Sequence, residues 1–363
     1  MKICDELPDE SKLMTCLVWN RLVPMFYASV VQNKLLEDYF SSEFILELKT
    51  YYKSSILKYM TIESAFRTLT PALQKEGIHF ITFKGIVLSQ QIYPTPSLRP
   101  MQDIDLLVDL ESIAKTKELL IQQGCISLFD IESKHTLGQW QHLPPLIYRD
   151  IPIEVHQQLF AAEDKLTTLE NDFLQQTIPY TLLDSHCSTL SPEHHLFYLI
   201  YHLHKHAMQG HIRLIWLLDI RLFYNTFKDS LDFPKFVNLL NDSNEEYRNS
   251  FAAALEILDL NIPEVNIQTE KNKTDQLRRL FISRSTHKGQ KTIKIQSIEI
   301  LKYRQGFKNK CWFIIGRLFP TTSYVKEQFN CKTNLLVPFL YLFIYFRYVQ
   351  KILKVGFAKI FVK

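Results

Sequence analysis

The sequence contains little glycine, no paired cysteines and no long apolar segment, and each absence excludes a class of protein. Nine glycines in 363 residues, beside 25 Phe and 17 Tyr, exclude a low-complexity chain and favour densely packed helices. The uncharged run of 12 residues at 335–346 is too short for a membrane-spanning helix, which needs about 20 apolar residues. The remaining composition, 46% hydrophobic and 22% charged, is that of a globular protein with two or three compact units.

Cysteine usage and the first residues both predict a cytoplasmic protein. The six cysteines form no CxxC pair and have no regular spacing, which predicts reduced thiols in a reducing compartment. The first stretch, MKICDELPDESKLMTCL, is acidic and lacks a continuous apolar segment. A secretory signal peptide is therefore not predicted.

Charge is distributed unevenly along the chain. Residues 271–363 contain 20 Lys or Arg and 3 Asp or Glu, whereas residues 1–270 contain 22 and 35. The basic C-terminal quarter predicts an anionic partner or peripheral attachment at the inner membrane surface, and neutralisation of the acidic body is the alternative. Arg347, Lys351 and Lys354 form a basic stripe at helical spacing beside apolar residues. This stripe favours packing against the protein's own body, then membrane attachment, then binding of RNA or DNA.

The apolar periodicity changes along the chain and predicts an α+β protein. Residues 1–75 have the apolar spacing of helices, residues 76–160 contain short β-branched and aromatic segments, and residues 161–265 return to helical spacing. The fourth region, residues 266–363, is basic and is predicted to be mostly helical. We therefore expect a small mixed β-sheet core between mostly helical N-terminal and C-terminal regions, with the third region completing a cleft.

Three segments of the sheet region indicate strands. GIHFITFKG lies between two glycines and predicts a strand, followed by a short helix from Gly85. After the loop PTPSLRP, QDIDLLVD predicts a second strand. PPLIYRDIPIEVHQQL predicts a hairpin that turns at Arg149 and Asp150, with Glu154 and His156 on the polar face of its second arm.

Two aspartates interrupt the apolar segment QDIDLLVD. Asp103 and Asp105 lie two residues apart, so an extended chain directs both side chains to one face. Burial of two neighbouring carboxylates is costly unless cations neutralise them. Mg²⁺ takes oxygen ligands and is often shared between carboxylates and substrate phosphates, and Glu154 on another strand would supply a third carboxylate. The spacing therefore predicts a metal site for Mg²⁺, with Mn²⁺ as the alternative ion.

Three further residues near this pair favour phosphate chemistry. Lys84 and Gly85 follow a predicted strand and open a predicted helix, where a cation and backbone N–H groups bind phosphate. Arg99, four residues before Asp103, has a planar guanidinium that suits phosphate oxygens. The alternative reading makes Asp103 a turn residue and pairs Asp105 with Arg99 or a lysine.

The segment FKGIVLSQQIYPTPSLRPMQDIDLLVD, with GIHFIT before it and IPIEVHQQL after it, resembles the bacterial nucleotidyltransferases of the DNA polymerase β-like superfamily. That superfamily has a glycine motif at the start of a helix, a DxD on the next strand and a third acid on a later strand. SPEHHLFYLIYHLHKHAMQGHIRLIWLLDIRLFY also resembles the helical segment that follows the core. The resemblance covers about residues 76–225.

This resemblance implies a nucleotidyltransferase core that transfers a nucleoside monophosphate from an NTP and releases pyrophosphate. Asp103 and Asp105 would hold Mg²⁺, and Glu154 would be the third acid. The chain departs from the superfamily in two ways: its usual Gly-Ser pair is Lys84-Gly85 here, as in related toxin-type enzymes, and its third acid is Glu where many relatives have Asp. Because many members have no established substrate, the resemblance leaves the acceptor open among sugars, antibiotics, peptides, proteins and RNA.

Histidines are concentrated in the stretch HHLFYLIYHLHKHAMQGH. His202 and His206 have the i,i+4 spacing of a zinc site, but Leu203 stands where an HExxH motif has Glu. We therefore expect the histidines of this stretch, with Lys205, to border the cleft as polar or phosphate-facing groups, and we assign His206 to phosphate binding.

Three other polar residues have two readings each. His156 would contact the metal-bound nucleotide or satisfy a hydrogen bond at the sheet edge. Arg213 would face phosphate or pair with Asp219. Asp219 lies in an apolar helix and is predicted to be the buried partner of Arg213 or Arg221, with a substrate contact as its second reading.

The sequence supports a leading function and two alternatives. The leading one is a Mg²⁺-dependent nucleotidyltransferase that uses an NTP and an unidentified acceptor hydroxyl. A non-catalytic nucleotide-binding or adaptor protein is the first alternative, and it is favoured if Glu154 points away from Asp103 and Asp105. The second is a toxin-like, RNA-modifying nucleotidyltransferase, suggested by Lys84-Gly85 and the basic C-terminal region.

Overall fold

The computed structural model describes residues 9–33, 39–127, 141–161, 164, 166–286 and 338–341. The chain divides into two compact units, residues 1–296 and 297–363. Of the second unit the structure describes only a helical turn at 338–341, so the predictions made for the basic stripe and for most of the C-terminal region lie outside the described residues. All elements named below belong to the first unit.

The described residues of the N-terminal region contain three helices, as the apolar spacing predicts. The first helix ends before Pro24, which lies in the first turn of the second, because proline lacks an N–H donor and is tolerated only in the first turn of a helix. The third helix is capped by Ser41, whose hydroxyl accepts a hydrogen bond from the Phe44 backbone N–H at 3.2 Å. These helices are α1 Glu10–Trp19, α2 Val23–Gln32 and α3 Ser42–Lys75.

A four-stranded mixed sheet follows and confirms the predicted α+β class. Its strand order is β1-β4-β3-β2, with β1 parallel to β4 and the other pairs antiparallel. A short helix, α4 Gly85–Gln91, precedes β1 as predicted, and α5 Ile113–Gln122 lies between β1 and β2. The strands are β1 Ile104–Leu107, β2 Ile126–Ser127, β3 Leu146–Tyr148 and β4 Ile151–His156.

The hairpin of β3 and β4 turns at the predicted position. Arg149 and Asp150 have φ of 47° and 63°, and two successive positive φ values match the twist of a two-residue hairpin turn. In β4 the alternate residues Ile151, Ile153 and Val155 are fully buried. Glu154 and His156 therefore lie on the opposite face of the strand, as the alternation predicts.

The segment GIHFITF is not a regular strand, which corrects the sequence prediction. Only Ile81 forms β-bridges, antiparallel to Leu107 of β1 and parallel to Ser188. Its backbone exchanges hydrogen bonds with Leu107 at 2.8 and 2.9 Å. Because single bridges hold the segment on both sides, its two neighbours diverge and no ladder extends along it.

A second, two-stranded sheet was missed by the sequence analysis. Residues from about 163 onward were predicted to be helical, but β5 Thr177–Leu182 and β6 Ser185–Leu190 form an antiparallel hairpin after α6 Thr167–Gln175. Leu183 and Asp184 form its turn with φ of 48° and 67°. β5 is mostly exposed and partly polar, so it has no strong apolar alternation, and the hairpin depends on the tertiary contact between Ser188 and residues 80–82.

Five helices follow the second sheet in the described residues of the first unit. α7 begins at Pro192, where proline is compatible with the first helical turn. β1 lies between two hydrophobic cores, because Ile104 and Leu106 belong to the core under α3 whereas Leu107 belongs to the core under α7. The helices are α7 Pro192–Met208, α8 Leu214–Phe227, α9 Phe233–Asp242, α10 Glu245–Leu258 and α11 Lys271–Ser285.

Candidate active site

The parallel pairing of β1 and β4 brings two carboxylates together. Asp105 lies directly opposite Glu154 in the register, and Leu107 lies opposite His156. Residues opposite one another in a ladder share a face, so the three polar side chains converge on the side of β1 that faces α7. Ligand atoms of Asp105, Glu154 and His156 all lie within 4.8 Å of one another.

Lys84 places a positive charge in this cluster. Its Nζ is 2.7 Å from Asp105 Oδ1 and 3.4 Å from His156 Nε2, and His156 Nε2 is 2.9 Å from the same carboxylate oxygen. The Asp105 side chain is only 5% exposed. Burial alone would raise the pKa of Asp105, but the Lys84 ammonium and the His156 hydrogen bond lower it well below its usual range. The carboxylate is therefore ionised in the folded protein.

The same contact keeps Lys84 charged. Burial would lower the pKa of Lys84, but the charge of Asp105, followed by Tyr198 and Glu154, raises it above its ordinary value. The alternative prediction that Asp105 pairs with a lysine is thus what the structure shows. The ion pair does not exclude a metal site, because an ammonium held by Asp105 demonstrates that this pocket attracts a cation.

Asp103 lies immediately before β1 and outside the cluster of converging ligand atoms. Burial, then the charges of Asp105 and Glu154, raise the pKa of Asp103 to about 6. Among the described residues its carboxylate makes no hydrogen bond or ion pair. Asp103 is therefore close enough for the charges of Asp105 and Glu154 to raise its pKa. In the cluster of converging ligand atoms, His156 occupies the position that the sequence assigned to Asp103.

His195 positions the backbone next to Lys84. Its Nε2 lies 2.9 Å from the Phe83 carbonyl oxygen, and the Phe83 ring packs edge-on against His156 and Tyr198. Burial lowers the pKa of His195 to about 4. The imidazole is neutral at pH 7, and its Nε2–H donates to the carbonyl.

This buried histidine makes stability depend on pH. The pKa of a histidine in the unfolded chain is about 6.5, so protons bind the unfolded state more tightly than the folded state between pH 6.5 and 4. The stability contributed by neutral His195 is present above pH 6.5 and is lost as the pH falls. Relative to His195→Gln, which keeps a donor but does not titrate, the wild type should lose about 3 kcal/mol of unfolding free energy from pH 7 to pH 4.

Urea denaturation at several pH values measures this difference. His186→Gln is the matched control, because His186 is exposed on β6. Its profile should follow that of the wild type. Parallel profiles for His195→Gln and the wild type would contradict the assignment of a neutral, buried imidazole.

Arg99 pairs with a buried carboxylate outside the cluster, and its assignment as a phosphate ligand stays a prediction. Its Nε and Nη2 donate to the two Asp219 oxygens at 2.9 and 2.8 Å, and Tyr93 donates to the same carboxylate at 2.7 Å. Asp219 is 1% exposed. The prediction that Asp219 is a buried partner of an arginine is confirmed, but the partner is Arg99 and not Arg213 or Arg221.

Gly85 is needed for close packing around this ion pair. A Cβ at Gly85 would lie 3.1 Å from Arg99 Nη1 and 3.1 Å from Met101 Sδ. A side chain would therefore push Arg99 or Met101 away from the start of α4. This close packing is enough to explain why residue 85 is a glycine, without invoking a bound phosphate. The phosphate role of Gly85 stays a prediction.

His206 has an aromatic environment. Its ring stacks on Trp216 with centroids 4.5 Å apart and lies edge-on to His202 at 4.4 Å. Burial, followed by the charge of His211, lowers the pKa of His206 well below its ordinary value. A phosphate contact by His206 would therefore come from a neutral imidazole, and its phosphate assignment stays a prediction.

Within the part of the chain that the structure describes, the only group of three or more potential metal ligands is Asp105, Glu154 and His156. The described histidines of α7 do not belong to any group of three or more converging ligands. Two carboxylates suit Mg²⁺ or Mn²⁺, whereas the imidazole favours a transition metal, so this donor set fits Mn²⁺ at least as well as Mg²⁺. His156 Nδ1 is buried without a hydrogen-bond partner among the described residues.

Residues 6–255 match the sequence profile of a family described as uncharacterised nucleotidyltransferase, over more than half of the chain. The chain belongs to this family. The resemblance seen in the motif residues is thereby confirmed, and the protein is a nucleotidyltransferase at the level of its family. No match was found among curated proteins or among solved structures. The matched range of the uncharacterised nucleotidyltransferase family contains every residue of the candidate site.

Proposed function

We propose that this member of the uncharacterised nucleotidyltransferase family transfers a nucleoside monophosphate from an NTP to an acceptor hydroxyl and releases pyrophosphate, with Mg²⁺ or Mn²⁺. The observation that carries the proposal is the register that sets Asp105 opposite Glu154. The alternative of a non-catalytic nucleotide-binding or adaptor protein was favoured if Glu154 pointed away from the two aspartates, and instead its ligand atom lies within 4.8 Å of that of Asp105.

Asp105, Glu154 and His156 would hold the metal ion. When bound, the ion supplies charge neutralisation at the triphosphate and activation of the acceptor hydroxyl. The hydrogen bond from His156 lowers the pKa of Glu154, which keeps this acid ionised and available as a ligand. Lys84, which is charged and one-fifth exposed, lies beside the position of the phosphates and stabilises their negative charge.

The ion pair of Lys84 and Asp105 favours one second candidate, a nucleotide-binding protein without turnover. In that case Lys84 would neutralise Asp105 permanently and no metal would enter. Metal titration separates the two candidates, because Mn²⁺ binding that disappears in Glu154→Gln requires an open site.

We also propose that the NTP and an unidentified acceptor meet in the cytoplasm, from the cysteine usage of the sequence. None of the helices in the described ranges is long and apolar enough to cross a membrane. The possible peripheral attachment and the toxin-like RNA activity depend on the basic C-terminal region, which lies largely outside the described residues.

Label transfer tests the proposed function. The protein is incubated with Mn²⁺ or Mg²⁺, each of the four ribonucleotides labelled at the α-phosphate, and RNA, protein or small-molecule fractions as acceptors. Wild type should release pyrophosphate and label one fraction, whereas Glu154→Gln should lose about 100-fold of this rate because a metal ligand is removed. Glu118→Gln, at an exposed position of α5, is the control and should retain the rate. Equal rates for wild type and Glu154→Gln would refute the assignment.

A further inference from the structure

Two arginines lie on the Asp103 side of the site without a carboxylate partner. Arg21 belongs to the turn between α1 and α2, and Arg213 is the residue before α8. Neither forms an ion pair with an acid in the described part of the chain, unlike Arg99. Unpaired, partly buried guanidinium groups are uncommon, because burial of a charge without compensation is costly.

Side-chain and backbone contacts fix the two arginines near each other. The Asn20 amide accepts a hydrogen bond from the Leu214 backbone N–H at 2.9 Å and donates to the Ser285 carbonyl at 3.0 Å. Asn20 is fully buried. Because Arg21 follows Asn20 and Arg213 precedes Leu214, this hydrogen bond holds the two arginines near each other. Arg21 also donates to the side chain of Gln102, the neighbour of Asp103.

The backbone at Arg21 is in a sparsely populated conformation. Its φ is 57°, in the left-handed region that a non-glycine residue rarely adopts. Arg21 follows the C-cap of α1, where its N–H donates to the Val18 carbonyl at 3.1 Å and the Leu22 N–H donates to the Leu17 carbonyl at 2.9 Å, so the end of the helix accounts for this conformation. The conformation here directs the chain so that the Arg21 side chain reaches Gln102.

The cost of burying both guanidinium groups is only partly offset by the Asp103 carboxylate, and Arg213 also lies over the Trp19 ring, 5.9 Å from its centroid. Burial, then the charge of Arg213, lowers the pKa of Arg21 to about 10, and Asp103 only partly offsets this. Burial also lowers the pKa of Arg213. The Nε of Arg213 is buried and has no hydrogen-bond partner among the described residues. An anion between the guanidinium groups would relieve their repulsion and satisfy this donor.

We propose that Arg21 and Arg213 bind the triphosphate of the nucleotide, in the role that the sequence assigned to Arg99. The proposal rests on the proposed function. Guanidinium groups match phosphate oxygens in charge and in bidentate geometry, and pyrophosphate, the released product, carries the same recognised groups. An RNA acceptor would offer similar phosphates, so the experiment distinguishes the two sources.

Isothermal titration of the full chain with pyrophosphate in the presence of Mn²⁺, and separately with a short RNA without a triphosphate, tests the proposal. Arg21→Gln and Arg213→Gln should each weaken pyrophosphate binding about tenfold or more, because each removes charge-assisted hydrogen bonds. Arg221→Gln, at an exposed position of α8, the helix that follows Arg213, is the matched control and should bind as the wild type does. Circular dichroism verifies folding, and Arg213→Lys, which keeps the charge without the fork, replaces Arg213→Gln if that variant does not fold.

The outcomes separate this proposal from the proposed function. Unchanged pyrophosphate affinity in both arginine variants, in a protein that still transfers nucleotides, overturns the triphosphate assignment alone. Weakened RNA binding with unchanged pyrophosphate binding also overturns it, and places the acceptor on the arginines instead. A wild type that neither binds pyrophosphate nor releases it refutes both proposals.

Discussion

Asp105→Asn is expected to reduce nucleotidyl transfer by at least about 1,000-fold, because the carboxylate at the centre of the site orders Lys84 and His156 and, in the proposed function, would hold the metal. Asparagine keeps the size of the side chain but removes its charge and one acceptor. The rate of pyrophosphate release, measured with the labelled nucleotides described above, gives the loss directly. Asp150→Asn is the control, since Asp150 is exposed in a hairpin turn whose positive φ suits asparagine.

A loss of activity must be separated from a loss of folding. Asp105→Asn leaves the Lys84 ammonium without its buried partner, which is expected to lower the free energy of unfolding by about 3–5 kcal/mol. The double variant Lys84→Met/Asp105→Asn removes both charges and should recover part of that stability. It should remain inactive. An active double variant would show that neither group takes part in transfer.

Asp219→Asn is expected to destabilise the protein by about 3–5 kcal/mol, because it leaves the Arg99 guanidinium buried without a counter-charge. The carboxylate accepts two hydrogen bonds from Arg99 and one from Tyr93, and asparagine cannot accept all three in the same geometry. Urea denaturation measures the change in unfolding free energy. Asp229→Asn, an exposed residue in the segment after α8, is the control and should change stability by less than about 0.5 kcal/mol.

A second variant distinguishes a structural pair from a ligand site. Arg99→Met/Asp219→Leu removes both charges from an apolar region, and such replacements are often neutral or stabilising. If Arg99 is only a buried partner, this variant should fold and bind pyrophosphate with unchanged affinity. Weakened pyrophosphate binding by the folded double variant would return Arg99 to the role that the sequence assigned to it.

Local sequence patterns were sufficient to predict most of the regular helices and strands. The alternation in IPIEVH and the Arg149–Asp150 turn predict β4 and its hairpin, since period and turn chemistry are properties of neighbouring residues. Pro24 marks the break between the first two helices for the same reason. The β5–β6 hairpin was not predictable in this way, because its exposed strand has little apolar alternation.

The candidate site was only partly predictable. Residue chemistry identified Asp105, Glu154 and Lys84 as members of one site, and the family match agrees with the reaction class. Residue chemistry also placed His156 beside Glu154 on one strand face, but it left His156 open between a nucleotide contact and a hydrogen bond at the sheet edge. Chemistry did not indicate that Arg99 pairs with Asp219, because an arginine near an aspartate pair in sequence suits phosphate and a buried carboxylate equally well. Arg21 carries no sequence signal, since it lies 82 residues before Asp103.

By itself, the sequence determined the α+β class, the bounds of the hairpin at Arg149–Asp150 and the set of acids and cations available for nucleotide chemistry. Tertiary structure alone decided that Asp105 stands opposite Glu154, that Asp219 takes Arg99, and that Arg21 lies near Arg213. The physical reason is that periodicity and turn preferences act over a few residues. Strand register and ion pairing between distant segments are instead set by how the two hydrophobic cores pack on either side of β1.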